Sequence, residues 1–440
     1  MRLLVVKYAE KLRASFWFLP TLMAVGAVFM SIGLVALDEV VTDEWLHAWR
    51  WVYSGGAQGA SAVLQTIAGS MITIAGVVFS LTLVALSLAS SQYGSRLLRN
   101  FMRDTMTQLV LGTFVATFLY CLLVLRTIRR AEEGGFVPHL SVTMGVLFAI
   151  ASLWVLIYFI HHVAVSIQAD EMVARVSDDL NAGIDRLFPE RGQAVDADSP
   201  ERAGVPADFS QRAAPLGAPG DGYLQIVDLD ALLRAARDAD VILRLDRRPG
   251  QYVVRDYPLV RAWPGDRVSA KLTDAVSAAF VLGSQRTSVQ DVEFALQELV
   301  EIAVRALSPG INDPFTAIVC VDRIGTALSR LARRQIPSPY RTDEDHKLRI
   351  IAPPATFAGI VNGAFNAIRQ ASAGSVMVTV RLLEVIEIVA TAASLSDDQK
   401  AVLAHHADMI ARGARAGALD QHDRLDIEAR YAKVTATLRR

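Results

Sequence analysis

The sequence predicts a mainly α-helical membrane protein in which four transmembrane helices precede a cytoplasmic α+β unit and a C-terminal helical bundle. Three observations predict this class. The 440-residue chain is 52% hydrophobic with a mean hydropathy of +0.32, which is more apolar than soluble proteins usually are. Residues 1–164 hold only 11 Lys and Arg and 8 Asp and Glu, whereas the remainder holds 33 and 37. Finally, that first part contains uncharged runs long enough to cross a bilayer.

The uncharged apolar runs cover residues 16–37, 51–95, 107–125 and 140–160. A helix needs about 20 apolar residues to cross a hydrocarbon core about 30 Å thick, where only internal hydrogen bonds can satisfy its backbone. The first run is longer than the apolar region of a signal peptide and lacks a small-residue cleavage site, so we expect a retained helix. Residues 16–164 are therefore predicted to form a four-helix transmembrane domain after an N-terminal arm at 1–15.

The orientation follows from the basic residues of the short loops, because Lys and Arg concentrate on the cytoplasmic side. The N-terminal arm and the second connection hold seven of these residues, and the first and third connections hold four. Both termini are therefore predicted to lie in the cytoplasm, with the chain spanning a bacterial inner membrane.

The second membrane segment carries a repeat of small and hydroxyl side chains. Thr and Ser recur every seven residues, and Gly and Leu lie three residues after them, so these positions share one helix face. Two interpretations remain open: close helix packing, or a pore lined by the stripe around the axis of an oligomer, with Leu83 as its apolar constriction. The predicted pore-lining stripe consists of Thr66, Gly69, Thr73, Gly76, Ser80, Leu83 and Ser87.

The C-terminal part is predicted to begin with a helical extension at 165–187 and a flexible linker at 188–220, which is rich in Pro, Gly and charge. A small α+β unit follows at 221–266, in which Pro249 and Gly250 are predicted to turn a hairpin between strands at 241–247 and 252–257. Residues 267–440 are predicted to be helical throughout, because apolar positions recur there at helical spacing.

A distinctive segment joins two of these helices. Pro309 and Gly310 are predicted to end the first helix, Asp313 to cap the second, and Pro314 to occupy its first turn, where a missing N–H is no loss. The segment is therefore either a structural corner or a gating hairpin that binds an ion, an anionic headgroup or a small ligand through exposed N–H groups. The candidate ligand residues are Ser308, Pro309, Gly310, Asn312, Asp313 and Pro314.

Composition excludes several classes of protein. Charge is nearly balanced, which disfavours a nucleic-acid partner, and two cysteines without a Cys/His cluster disfavour a disulfide framework or a zinc site. Phosphate-loop, nucleophile-elbow, zinc-protease and dinucleotide-binding motifs are missing. We therefore expect no catalytic residues, no metal and no cofactor.

Five segments resemble a widespread bacterial family of predicted membrane proteins with a domain of unknown function. They are SPGINDPFTA at 308–317, TIAGVVFS at 73–80, SQYGSR at 91–96, GYLQ at 222–225 and AFNAIR at 364–369. The resemblance covers most of the chain. It implies four membrane helices before a cytoplasmic region, and it implies no established reaction or ligand.

These observations predict an oligomeric inner-membrane ion channel or passive conduit that is regulated by its cytoplasmic domain through residues 96–104. The alternative is a membrane-anchored sensor or scaffold without transport, and a more distant one is an enzyme that acts on lipid at the membrane surface. The expected partners are the lipid bilayer, other copies of the chain, and a small ion or anionic ligand.

Overall fold

The computed structural model describes residues 17–40, 53, 55–93, 104–129, 136–166, 168–191, 204–392, 395–417 and 420–439. The chain divides into two compact units, Met1–Glu171 and Met172–Arg440, here called the membrane unit and the C-terminal unit. The predicted N-terminal arm at 1–15 and nearly all of the predicted coupling segment at 96–104 lie outside the described residues.

The membrane unit contains four long apolar helices: α1 (Phe18–Val40), α2 (Ala57–Tyr93), α3 (Thr105–Leu125) and α4 (His139–Ser166). Each is long and apolar enough to cross a membrane, which confirms the four predicted transmembrane helices. The second is the longest at 37 residues, so part of it extends beyond one hydrocarbon thickness.

Helix α3 lies at the centre of the membrane unit and packs against the other three helices. Its side chains Phe114, Tyr120 and Cys121 are fully buried. A Cβ atom at Gly112 would lie 2.5 Å from the Met23 sulfur of α1, so this glycine lets the two backbones approach. The Tyr120 hydroxyl donates to a backbone carbonyl of α4. Small residues and satisfied polar groups thus hold this bundle together, as is usual in lipid.

The C-terminal unit is mixed. Its described helices and strands are, in chain order, α5 (Ala169–Leu187), α6 (Phe209–Arg212), β1 (Ala214–Gly217), β2 (Gly222–Val227), α7 (Leu229–Asp238), β3 (Ile242–Leu245), β4 (Tyr252–Val253), β5 (Pro258–Trp263), α8 (Ala270–Ala278), β6 (Phe280–Gly283), α9 (Val292–Ala306), α10 (Pro314–Ala332), β7 (Tyr340–Thr342), β8 (Leu348–Ile351), α11 (Phe357–Ala371), α12 (Val376–Ala392), α13 (Asp397–Ala416) and α14 (Gln421–Leu438).

Two small sheets form the β part of this unit. The five-stranded sheet has the order β1-β5-β3-β8-β7, and the three-stranded sheet has the order β4-β2-β6. All pairs are antiparallel except β3 and β8, where Leu243 lies beside Ile350. Leu224, Leu232 and Val260 join these two residues in one buried core.

Helices α9 to α14 form the predicted bundle. The pairs α9/α10, α9/α11, α10/α12, α12/α14 and α13/α14 pack against each other. Phe365, Leu382 and Ile386 are completely buried between them. A close approach of α10 and α12 depends on Gly325, where a Cβ would lie 2.7 Å from Val385. The bundle core follows directly from the apolar face of each helix.

Three predictions about the C-terminal part are wrong. The predicted linker contains α6 and β1, because β1 pairs with β5 and buries Leu216. The region from 267 is not wholly helical, because β6, β7 and β8 pair with strands that lie elsewhere in the chain. The predicted hairpin is absent: the turn at 248–251 forms, but its flanking strands β3 and β4 belong to different sheets.

Candidate functional site

All seven residues of the predicted pore-lining stripe lie on the outer surface of the membrane unit. Each of them is exposed, and Leu83 is 49% exposed. A Cβ added at Gly69 or Gly76 would meet no atom within 4 Å. From Thr66 to Ser87 the stripe runs about 30 Å along the helix, which matches the hydrocarbon thickness. Packing against neighbouring helices of the same chain therefore does not account for the stripe.

The opposite face of α2 supplies the contacts within the bundle. Met71, Ala75 and Val78 lie in an apolar cluster with Phe114 of α3 and Phe159 of α4. The same face continues through Ala60, Leu64, Ala68, Thr82 and Ala85, all of which are buried. The helix therefore has one face that is buried in its own bundle and another, the stripe, that is exposed.

The hydroxyl groups of the stripe fall into two kinds. Thr66 and Thr73 each donate to the carbonyl four residues earlier, at 2.8 Å, so these hydroxyls need no other partner. Ser80 and Ser87 have no hydrogen-bond partner among the described residues. Hydroxyls without an internal partner prefer water or another protein to lipid, because hydrocarbon offers no hydrogen bonds.

The helical hairpin at 308–314 is a corner whose polar groups bond to one another. The Ser308 hydroxyl donates to the Arg305 carbonyl at 2.6 Å, and the Ser308 carbonyl accepts from the N–H of Ile311 and of Asn312. Asn312 has a φ of 50°, a left-handed conformation that Asn tolerates better than most residues. Pro309, Gly310 and Asn312 are exposed at the tip.

The start of α10 is capped by its own chain. Asp313 Oδ1 accepts from the N–H groups of Phe315 and Thr316, both at 3.1 Å, and Oδ2 accepts from the Thr316 hydroxyl. The hydroxyl bond from Thr316, with help from the two backbone N–H groups, holds the pKa of Asp313 below its ordinary value. Pro314 has no N–H to offer. Because Asp313 already takes the donors that an anion would use, the geometry favours the structural interpretation of the hairpin.

Two aspartates at helix ends were missed by the sequence reasoning. Asp38, at the end of α1, accepts from the N–H groups of Leu140 and Ser141 and from the Ser141 hydroxyl, and so caps α4 from another helix. Asp104 caps α3 and lies 2.7 Å from Nε2 of His162 in α4. A local N-cap pattern was visible at Asp104, but no sequence signal links either aspartate to α4.

Asp104 is held in its charged form. Burial raises its pKa, but hydrogen bonds from Thr107 and His162 and the charge of His162 outweigh this effect, and the net pKa is lowered. Among the described residues, no group of three or more His, Cys, Asp or Glu is placed to hold a metal ion.

Comparisons with known proteins give a family but no reaction. The sequence profile described as predicted membrane protein (DUF2254) matches residues 13–387. The uncharacterized proteins Mb1321c of Mycobacterium bovis and Rv1290c of Mycobacterium tuberculosis are each 32% identical over 441 residues, which cover 98% of this chain and 82% of the relative. No solved structure shows a significant match. With the profile covering most of the chain, and four helices able to span a membrane, this protein belongs to the DUF2254 family of predicted membrane proteins.

Proposed function

We propose that the protein is an oligomeric channel or passive conduit for small ions in the bacterial inner membrane, with the stripe of α2 lining a pore at the symmetry axis. One observation carries this proposal: every stripe residue is exposed on the protomer, whereas the opposite face of the same helix is buried in the bundle. Four helices enclose too little space for a water-filled path, so a pore requires several copies of the chain around an axis.

The neighbours of the stripe support the same arrangement. Large apolar side chains flank it on both sides, including Ile72, Val77, Phe79 and Val84, which are 47–54% exposed and suit lipid or a neighbouring helix. Near Thr66 the stripe borders an open apolar groove of about 540 Å³ between α2 and α4. In the proposed oligomer a helix of the adjacent copy fills this groove, while the stripe from Gly69 to Ser87 faces water.

Leu83 is the proposed constriction. It is the one large apolar side chain in the stripe, and a ring of leucines around a narrow axis can close a pore by excluding water. The proposed orientation, with both termini and the C-terminal unit in the cytoplasm, is supported by the distribution of basic residues among the short loops. The proposal assigns no reaction to the chain.

Conductance tests the proposal. Purified protein is reconstituted in planar bilayers, and wild type is compared with Leu83→Ser; we expect Leu83→Ser to raise the open probability at least tenfold, because a polar ring no longer excludes water. Val84→Ser, one residue away but off the stripe, is the matched control and is expected to behave as wild type. Silence of both wild type and Leu83→Ser, with oligomers verified, would falsify conduction.

Cysteine accessibility gives an independent test. Both native cysteines are buried, so modification of an introduced cysteine stands out. A membrane-impermeant thiol reagent is expected to modify Ser80→Cys but not Val84→Cys in reconstituted vesicles. If both positions stay unmodified, or if lipid-soluble reagents alone reach Ser80→Cys, then the stripe packs against protein or lipid, and the membrane-anchored sensor or scaffold becomes the better proposal.

A further inference from the structure

The C-terminal unit contains a cleft of about 350 Å³ between its two sheets and the helices α5 and α9. Strands β2, β3 and β8 all end at this cleft, and the parallel pair β3 and β8 presents its carboxyl ends there. Small-molecule sites often lie at the carboxyl ends of parallel strands, and this volume falls at the lower end of their usual range.

The walls of the cleft are apolar and rigid. Phe188, Val227, Leu245 and Val292 line it and are each at most 5% exposed, so they are fixed by packing on their other sides. The connecting loops contribute four prolines, which restrict the backbone. These are Pro249, Pro337, Pro353 and Pro354.

A glycine lets the loop at 247–250 lie close against the start of α9. Gly250 has a φ of 91°, and a Cβ at this position would lie 2.0 Å from Oδ2 of Asp291. A larger residue would push the loop away from α9 and change the cleft. The site is therefore formed in advance, and a ligand would lose little free energy in ordering it.

Charge in the cleft is unbalanced in favour of the cations. The two acidic residues that line the cleft, Asp291 and Glu293, are already paired. Arg248 Nη2 donates to both Glu293 oxygens at 2.9 Å, and Arg286 donates to Asp291 at 2.7–2.8 Å. Arg186, Arg247 and Arg341 also line the cleft but have no carboxylate partner among the described residues. These side chains are the remaining charged donors.

The donors of these arginines are available to a ligand. Arg186 donates one N–H group to the Ser288 carbonyl. The Arg247 guanidinium lies over the Tyr257 ring, 5.5 Å from its centre, and this contact does not use its N–H groups as hydrogen-bond donors. Arg341 is exposed at the rim. A guanidinium binds phosphate and carboxylate groups through paired hydrogen bonds.

We propose that this cleft binds a small, soluble organic anion: a phosphate or carboxylate group held by Arg247 and Arg341, attached to an apolar or aromatic body that packs between Phe188, Leu245 and Val292. The site requires both parts of such a ligand. The apolar walls make no favourable contact with inorganic phosphate, and the arginines form no hydrogen bond with a neutral hydrocarbon. The cleft binds such an anion whether or not the membrane helices conduct ions.

The test uses 1-naphthyl phosphate as the probe and inorganic phosphate as the probe without an apolar body. Binding to the full-length protein in phosphatidylcholine nanodiscs is measured by calorimetry, and a titration of empty nanodiscs is subtracted. We expect one saturable site per chain for 1-naphthyl phosphate, with a Kd at least tenfold below that of inorganic phosphate.

Variants assign the binding to the cleft. Arg247→Gln combined with Arg341→Gln is expected to raise the Kd of 1-naphthyl phosphate at least tenfold, because two charge-assisted contacts are lost. Arg323→Gln, an exposed arginine of α10 away from the cleft, is the matched control and is expected to change the Kd less than twofold. Ala355→Phe fills the cleft, keeps every arginine and is expected to abolish binding while the thermal unfolding midpoint stays within a few degrees.

Three results would overturn the proposal. They are binding no greater than that of empty nanodiscs, equal affinity for the two probes, and unchanged affinity in both the double arginine variant and Ala355→Phe. Each leaves the pore proposal untouched, because the α2 stripe and the cleft share no residues.

Discussion

Many large apolar side chains of the membrane helices are exposed on the outside of the bundle, whereas most of those in the C-terminal unit are buried. Trp154 of α4 is 68% exposed and Ile157 is 55% exposed, while Leu243 and Phe365 of the C-terminal unit are completely buried. Hydrocarbon is as good a solvent for leucine as the protein interior is, so apolarity does not mark the contacts of a membrane helix. In the C-terminal unit water makes apolarity the main guide to the core.

The charged side chains of the two units also differ, in the partners that they bind. The described aspartates of the membrane unit lie at helix ends, where Asp38 and Asp104 satisfy N–H groups. In the C-terminal unit arginines and carboxylates form ion pairs, such as the partly buried Arg334 with Asp185 and the exposed Arg415 with Glu428. The exposed hydroxyls of Ser80 and Ser87 in the α2 stripe fit neither pattern, and we therefore propose that this surface meets water or a partner protein.

The largest difference in stability is expected between phenylalanine-to-alanine substitutions in the two units. Phe365→Ala should cost about 3–5 kcal/mol of stability, because it empties a completely buried site in the bundle. Phe79→Ala, at a position 47% exposed on α2, should cost less than about 1 kcal/mol. Denaturation of the detergent-solubilised protein, followed separately for each unit, measures both. Equal losses would mean that the outer face of α2 is packed as tightly as a core.

A buried histidine should make the stability of the C-terminal unit depend on pH. His406 is completely buried, its Nε2 lies 2.8 Å from Oδ1 of Asn362, and burial, with the charges of His405 and Arg369, lowers its pKa to about 4. The unfolded chain binds this proton near pH 6.5, so stability is fully present above that pH and falls as the pH drops toward 4, by about 3 kcal/mol.

Unfolding measured between pH 7 and pH 4 tests this expectation. His406→Leu should remove most of the pH dependence, whereas His405→Leu, the exposed neighbour, should keep it. The same decline in wild type and His406→Leu would assign it to other groups.

Within the membrane unit, we expect the cap that Asp38 forms on α4 to contribute more to stability than an exposed acidic side chain does. Asp38→Ala removes three hydrogen bonds to α4, and we expect a loss of about 2 kcal/mol. Glu39→Ala, at an exposed neighbouring position, should cost less than about 0.5 kcal/mol. Thermal unfolding in one detergent compares the two, and similar midpoints would show that the cap contributes nothing.

The smallest effect is expected at the helical hairpin. Asn312→Ala should cost about 1 kcal/mol, because alanine is strained at a φ of 50°, and Asn312→Gly should cost nothing measurable. Thermal unfolding is measured across a panel of ions and lipid headgroups. A midpoint that rises with one ligand in wild type but not in Asn312→Ala would restore the hairpin as a binding site.

The sequence predicted those parts of the fold whose signal is local. Uncharged runs located α1 to α4, and the N-cap at Asp313 followed from the residue types around it. The strands β6, β7 and β8 have only three or four residues, and β8 pairs with β3 more than 100 residues earlier. The turn at 248–251 was recognised, but the chain beyond it pairs with β2, which no local pattern indicates.

The candidate sites show the same limit. The seven-residue spacing placed the stripe of α2 on one helix face, but it could not say whether that face was buried, because the helix carries no charged residue that would mark an exposed side. The cleft was not predictable, since its residues run from Arg186 to Ala355 and are brought together only by tertiary packing. Spacing therefore predicts which residues share a face, and packing decides what that face meets.

The most direct measurement is the position of Thr73, Ser80 and Leu83 in a symmetric reconstruction of the purified protein in nanodiscs. We expect a closed ring of protomers in which these side chains face a central opening and Leu83 forms its narrowest point. A protomer ring without an opening, or one in which these residues face lipid or a neighbouring helix, would contradict it.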